Sequence, residues 1–258
     1  MKHFVLIAAA AAMMIGQSAT AQNRVKNLYT ESATLPVEQV VNMEQTVQLN
    51  RYFYAGYNTL CLPMTVSAEQ LDKALPGLKL ERLEAIRQEG TTLSLYFVDC
   101  TAQGVEAGMP YLVFSPTSQY LRLKNSDANG FATDAHMVSM TDQQGNQISF
   151  GGSWSTRLVD GLYGIPAKQD TKVLESVLIR TTADQAFRPT RCGFVWESQS
   201  PTATRLEIKH VSSAEATAVQ SLKAGETAGD VYDLQGHRLN GKPAKGVYIQ
   251  NGKKVTVK

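Results

Sequence analysis

Histidine and cysteine are scarce in this 258-residue chain, at four and three, and there are only two tryptophans. His136, His210 and His237 are the histidines beyond the N-terminal segment, none at helical metal-ligand spacing from another, and no His-Glu-x-x-His occurs. Cys61, Cys100 and Cys192 lie too far apart for a Cys-x-x-Cys metal or redox pair. A complete Gly-x-x-x-x-Gly-Lys-Ser/Thr phosphate loop and a Gly-x-Ser-x-Gly nucleophile elbow are also missing. The net charge of +2 is too small to argue for a nucleic-acid partner. These absences leave no catalytic residue, cofactor or metal to assign from motifs. The hydrophobic content of 43% with 19% charged residues is that of an ordinary globular chain, not a disordered one.

Long apolar runs are missing as well, except at the start. Phe4 to Ile15 carries no charge behind Lys2 and His3, and Ala19-Thr20-Ala21 places small residues before Gln22. The run is about a dozen residues, against the ~20 that a membrane-spanning helix needs. Residues 1–21 therefore read as a cleavable secretory signal peptide, with Ala19 and Ala21 facing the peptidase and Gln22 opening the mature chain. No cysteine follows the cut to carry a lipid, and no transmembrane span is expected after processing. In an oxidising compartment one disulfide can form among Cys61, Cys100 and Cys192, and spacing does not choose the pair.

What is present is β-forming sequence. Residues 22–45 read as a lead segment. Thr46 to Ala55, Asn58 to Leu62, Thr91 to Asp99, Pro110 to Ser115, Tyr120 to Lys124, His136 to Met140 and Gln147 to Phe150 read as strands. Val173 to Arg180, Arg191 to Trp196 and Thr204 to Val211 continue the series, the last alternating Leu206 and Ile208 with Arg205, Glu207 and Lys209. One helix is expected, opened by the capping box Ser67-Ala68-Glu69-Gln70 and closed by Pro76-Gly77. The predicted fold is mainly all-β: a β-sandwich or jelly-roll-like domain over 46–211 with one short helix. Residues 212–229, rich in Ser, Ala, Thr, Gly and Glu, read as a linker. Residues 230–258 read as a small β-hairpin segment around Asn251-Gly252, carrying Arg238, Lys242, Lys245, Lys253, Lys254 and Lys258 against Asp230 and Asp233.

Two stretches resemble known sequences. Val231 to Leu239, Lys245 to Ile249 and Lys253 to Lys258 resemble, in order, the elements of the C-terminal sorting domains of type IX secretion in Bacteroidetes. The resemblance implies recognition of Gly236, Arg238, Gly246, Tyr248, Lys253, Lys254 and Lys258 by the secretion machinery. It also implies a cell-surface or extracellular destination, with the periplasm as the alternative. The family domain is longer, with further strands where this chain has residues 212–229. Tyr57 to Met64 with Val105 to Val113 resembles a β-rich module of Bacteroidetes surface proteins, with Tyr57 and Met64 in place of that module's Trp and Phe. That likeness implies an extracellular setting and no chemistry.

Catalytic combinations are weak. Gly151-Gly152-Ser153-Trp154-Ser155 lacks the second elbow glycine and reads as a glycine-loosened strand. Cys192 with His210 has no supporting signature, and His210 shares parity with the packing residues Leu206 and Ile208. Glu81, Glu84, Glu89, Asp99 and Glu106 supply carboxylates without a set separation. Aromatics are the better lead: Tyr52, Phe53, Tyr54 and Tyr57, then Trp154, Tyr163, Phe194 and Trp196, are able to pack a core or form a platform for sugar rings or a protein. The expected function is non-enzymatic binding or adhesion at the surface, to a glycan or a protein. A secreted hydrolase of glycans or peptides and a surface scaffold are the alternatives.

Overall fold

A computed structural model describes residues 25–158, 160–166, 178–182, 186–197 and 203–224, together with tail strands at 231–232, 238–239, 246–250 and 253–257. Ala19, Ala21 and Gln22 of the expected signal peptide lie outside the described residues, as do Gly236 and Lys258 of the tail and most of the strand expected from Val173.

The chain begins with β1 (Lys26–Tyr29), α1 (Val37–Val41), β2 (Val47–Phe53), β3 (Gly56–Leu60) and α2 (Ala68–Ala74). It continues through β4 (Lys79–Glu89), β5 (Thr92–Asp99), β6 (Tyr111–Ser115), β7 (Gln119–Lys124), β8 (Met137–Thr141) and β9 (Gln147–Gly152). Short strands β10 (Arg157–Leu158), β11 (Tyr163–Gly164), β12 (Ile179–Arg180) and β13 (Ala186–Phe187) precede β14 (Cys192–Glu197), β15 (Arg205–Val211) and α3 (Ser213–Ala224). The tail supplies β16 (Val231–Tyr232), β17 (Arg238–Leu239), β18 (Gly246–Gln250) and β19 (Lys253–Val257). The fold is mainly β and sandwich-like, as the strand pattern indicates.

The body is layered about one mixed sheet, ordered β15-β5-β4-β6-β3. Alternation along β6 explains the layering. Tyr111 and Val113 point into a core shared with Leu49 and Phe53 of β2 and Leu121 and Leu123 of β7. Leu112, between them, points into a second core with Phe150 of β9 and Phe194 of β14. The sheet β1-β2-β7 therefore covers one face and the sheet β12-β11-β14-β9-β8 the other. In the second core the Phe150 and Phe194 rings stack with centroids 4.3 Å apart, and Phe97 meets both edge-on.

A bulge keeps β4 in step with this scheme. Leu83 pairs with Phe97, Ala85 with Tyr96 and Ile86 with Leu95, so Glu84 is the extra residue. Without it, Leu83 and Ile86 would face opposite sides; with it, both enter the second core.

Three parts differ from the sequence reading. The residues expected as a linker contain α3, which packs on β4 and β5. Ser212-Ser213-Ala214-Glu215 is a second capping box, with Ser212 N–H donating to Glu215 Oε2 at 2.8 Å and Glu215 N–H to Ser212 Oγ at 3.3 Å. Small residues such as the buried Ala216 let this helix lie close to the sheet, and they gave it the composition of a linker. Ser94, Tyr96 and Val98 point away from the second core, and α3 packs on their strand. The lead segment is part of the body too: β1 pairs in parallel with β2, and α1 bridges them. The helix expected from Ser67 is α2, its box closed by Ser67 Oγ and Gln70, and α1 and α3 add to it.

The tail is more than a hairpin. β18 and β19 pair from Gly246↔Val257 to Gln250↔Lys253, and the Asn251-Gly252 turn expected from the sequence lies outside the described residues. β16 and β17 extend them to a four-stranded antiparallel sheet ordered β17-β16-β18-β19. Arg238, Gly246, Tyr248, Lys253 and Lys254 all fall on its strands.

Candidate functional site

Among the described residues, the outer face of β1-β2-β7 carries the largest run of exposed aromatics. Alternation along β2 buries Val47, Leu49, Arg51 and Phe53 and turns Gln48, Asn50 and Tyr52 to the other side. On β7, Leu121 and Leu123 are buried while Tyr120, Arg122 and Lys124 face out. Tyr52 and Tyr120 are register partners with ring centroids 6.2 Å apart. Tyr54 meets Tyr52 edge-on at 4.9 Å, and the Arg122 guanidinium sits 5.1 Å from the Tyr120 ring centre. Tyr29, more than half exposed, stands opposite Asn50. Below it, Gln48 Nε2 donates to Asn50 Oδ1 at 2.9 Å and Asn50 Nδ2 to Asn27 Oδ1 at 3.2 Å, an amide cluster that fixes this part of the face.

At the Tyr52–Tyr54 end the face runs into a cleft of 680 Å³, whose walls include Glu31, Phe187, Arg188 and Arg191. Arg188 Nη1 and Arg191 Nη2 hold the two carboxylate oxygens of Glu31 at 2.6 and 2.5 Å. Burial pulls the Glu31 carboxyl up, but Arg191 and then Arg188 outweigh it and keep it below its ordinary value. Behind this wall Arg51 is fully enclosed, its guanidinium donating to the carbonyls of Thr59 and Thr190 and, at 3.2 Å, to Thr190 Oγ1. Burial, then the charge of Arg191, pushes Arg51 down to about 9. Among the described residues, three guanidiniums stand against one carboxylate at this end of the face.

A smaller cleft of 320 Å³ contains two of the carboxylates singled out in the sequence, Glu84 and Glu106. Glu84 is ion-paired with Arg82, whose Nη1 donates to Gln103 Oε1 at 3.0 Å. The other carboxylates are dispersed. Glu89 lies 3.6 Å from Arg87 and 3.7 Å from Lys209, and Asp99 accepts from the Thr101 N–H. Glu81 meets His210 Nδ1 at 2.7 Å, and Tyr57 stacks on that imidazole at 4.7 Å. Burial, then Glu81, pushes the Tyr57 hydroxyl up to about 12.

His210 thus faces Glu81, and Cys192 lies in the second core beside Cys61. Cys100 belongs to the first core; all three thiols are free and buried. Ser153 Oγ donates to the Ser155 carbonyl at 2.9 Å, a local turn contact. Phe53 and Phe194 are core residues, Tyr163 and Trp196 pack together at 6.0 Å, and Trp154 Nε1 donates to the Thr133 carbonyl. Of the aromatic cluster only Tyr52 and Tyr54 reach the surface site, and the structure adds Tyr29 and Tyr120 to them. Residues 57–64 and 105–113 pair directly, from Asn58↔Val113 to Leu60↔Tyr111.

Among the described residues no helix is long and apolar enough to cross a membrane, and no group of three or more His, Cys, Asp or Glu is placed to hold a metal ion. Compared with known proteins, the chain matches no family profile, no curated protein and no solved structure.

Proposed function

We propose that this is an exported, non-catalytic glycan-binding protein whose contact surface is the tyrosine face of β2 and β7 together with the adjoining arginine-edged cleft. The observation that carries the reading is the contiguity of exposed Tyr52, Tyr54 and Tyr120. Phenol rings offer flat apolar area to the C–H faces of sugars while their hydroxyls stay free to hydrogen-bond, at a low cost in side-chain entropy. Arg122 and the Arg188–Arg191 pair supply donors at both ends, which favours sugars bearing carboxylate or sulfate groups. Export rests on residues 1–21, and a surface destination on the sorting-like tail. The test is a glycan array probed with the mature chain, followed by calorimetry on soluble oligosaccharides. Saturable binding to at least one acidic glycan is expected, and its absence across neutral and acidic sets would reject the reading.

A second reading, hydrolysis of a glycoside, draws on Glu84 and Glu106 in the smaller cleft. Turnover of a chromogenic glycoside that both Glu84→Gln and Glu106→Gln abolish would favour it over the binding reading.

A further inference from the structure

Cys61 and Cys192 are brought together by a missing side chain. Cys61 follows β3 and Cys192 opens β14, and the two backbones are joined: the Cys61 N–H donates to the Thr190 carbonyl at 2.9 Å. Thr59 Oγ1 accepts from the Cys192 N–H at 2.9 Å and donates to the Cys192 carbonyl at 3.0 Å. Across the β9–β14 ladder Cys192 stands opposite Gly152. A Cβ on Gly152 would lie 2.5 Å from Cys61 Cβ and 2.6 Å from Cys61 Sγ, so the Cys61 side chain fills the place that Gly152 leaves empty. Opposed residues in a ladder point the same way, with Cβ atoms about 4.5–5.5 Å apart. The Cys61 and Cys192 side chains therefore both enter the second core beside Gly152, where the Cys61 thiol also donates to the Gly108 carbonyl at 3.0 Å, and a disulfide between them needs their Cβ atoms at about 3.5–4.5 Å. Contact with the Cys192 thiol, then burial, raises the Cys61 thiol, as expected of two adjacent thiols sealed from water. Cys100 lies in the other core.

We propose that Cys61 and Cys192 form a disulfide in the mature protein under oxidising conditions, and that Cys100 remains a free thiol. The two thiols lose two protons and two electrons as the S–S bond forms. A low-molecular-weight disulfide such as glutathione disulfide takes them up and leaves as two thiols. Both sulfurs are enclosed in the folded body, so the bond closes as the central sheet docks on β9 and β14. It ties those two layers together and is independent of any glycan binding.

The test uses the full chain, unfolded with reductant and refolded in a glutathione–glutathione disulfide buffer. Alkylation in denaturant without reductant, followed by peptide mass mapping, is expected to label Cys100 and to find a Cys61–Cys192 linked peptide about 2 Da lighter than the two reduced peptides. Labelling of all three cysteines, or a link that includes Cys100, would overturn the proposal. The Cys100→Ser variant gives a second readout, because the proposed bond is then the sole available one. Its melting temperature should fall by roughly 5–15 °C on adding dithiothreitol, the scale for opening a long cross-linked loop. An unchanged melting temperature would count against the bond.

Discussion

Tyr52 and Tyr120 stand directly opposite each other across β2 and β7, each 39% exposed, although the residues on either side of them in both strands are more deeply buried. Two large aromatic rings held open on one rung of a sheet are the core of the proposed glycan platform. Tyr52→Ala and Tyr120→Ala should each weaken binding of a glycan ligand by about tenfold, on the order of 1.4 kcal/mol. Calorimetry reads the affinity and circular dichroism the fold. Because both rings face out, melting temperatures should stay near the parent value, and unchanged affinity in the double variant would remove the platform from the site.

Glu31 sets how much positive charge the cleft presents. With Glu31→Gln, Arg188 and Arg191 lose their shared carboxylate, and affinity for an acidic oligosaccharide should rise several-fold at low salt and converge on the parent value at high salt. The same residue gives a pH dependence of stability. Its folded value lies below the ordinary carboxylate value of 4.5, so its contribution is complete above that pH and is lost as pH falls through the folded value. Thermal melts between pH 6 and about pH 3 should therefore fall less steeply for Glu31→Gln than for the parent. The difference should be small, because the Glu31 side chain is 45% exposed and solvent screens its pairs.

The α3 helix can be tested at its contact with the central sheet. Ala216 is 3% exposed. Ala216→Trp should overpack the interface and cost about 1–3 kcal/mol, read as a drop in melting temperature of several degrees. Thr217→Trp, one residue on and exposed, should leave the melt within about 0.5 kcal/mol of the parent. Equal behaviour of the two variants would mean that the helix contributes little to the body.

How far the chain could be read in advance differs by element. Strands with strong alternation, such as Leu93, Leu95 and Phe97 in β5, were legible because one face meets a core. The α2 helix was legible from the Ser67 capping box. The α3 helix was masked by its own small residues, even though Ser212 to Glu215 repeat the same box. The site was half legible. Tyr52 and Tyr54 stood out in a cluster, but only the pairing of β2 with β7 brings Tyr120 to them, a separation that periodicity alone does not span. Glu31, Arg188 and Arg191 meet across an even longer interval, so neither their contact nor the buried Arg51 behind it had any local signal.

The tail invites a test of destination separate from binding. β18 and β19 place Gly246 opposite Val257 and Tyr248 opposite Val255, while Lys253 and Lys254 pair with Gln250 and Ile249. Gly246, Tyr248, Lys253 and Lys254 of the expected sorting signal thus lie on one small sheet. If that sheet is the signal, deletion of residues 230–258 should move the protein from the surface or medium into the periplasm of a host with a type IX apparatus. Surface proteolysis and fractionation read the outcome. The glycan affinity of the truncated chain should match that of the full one, because the tyrosine face lies on β2 and β7. A truncated protein that reaches the surface as before would reject the sorting role, whereas one that reaches it but no longer binds would assign the tail to the site.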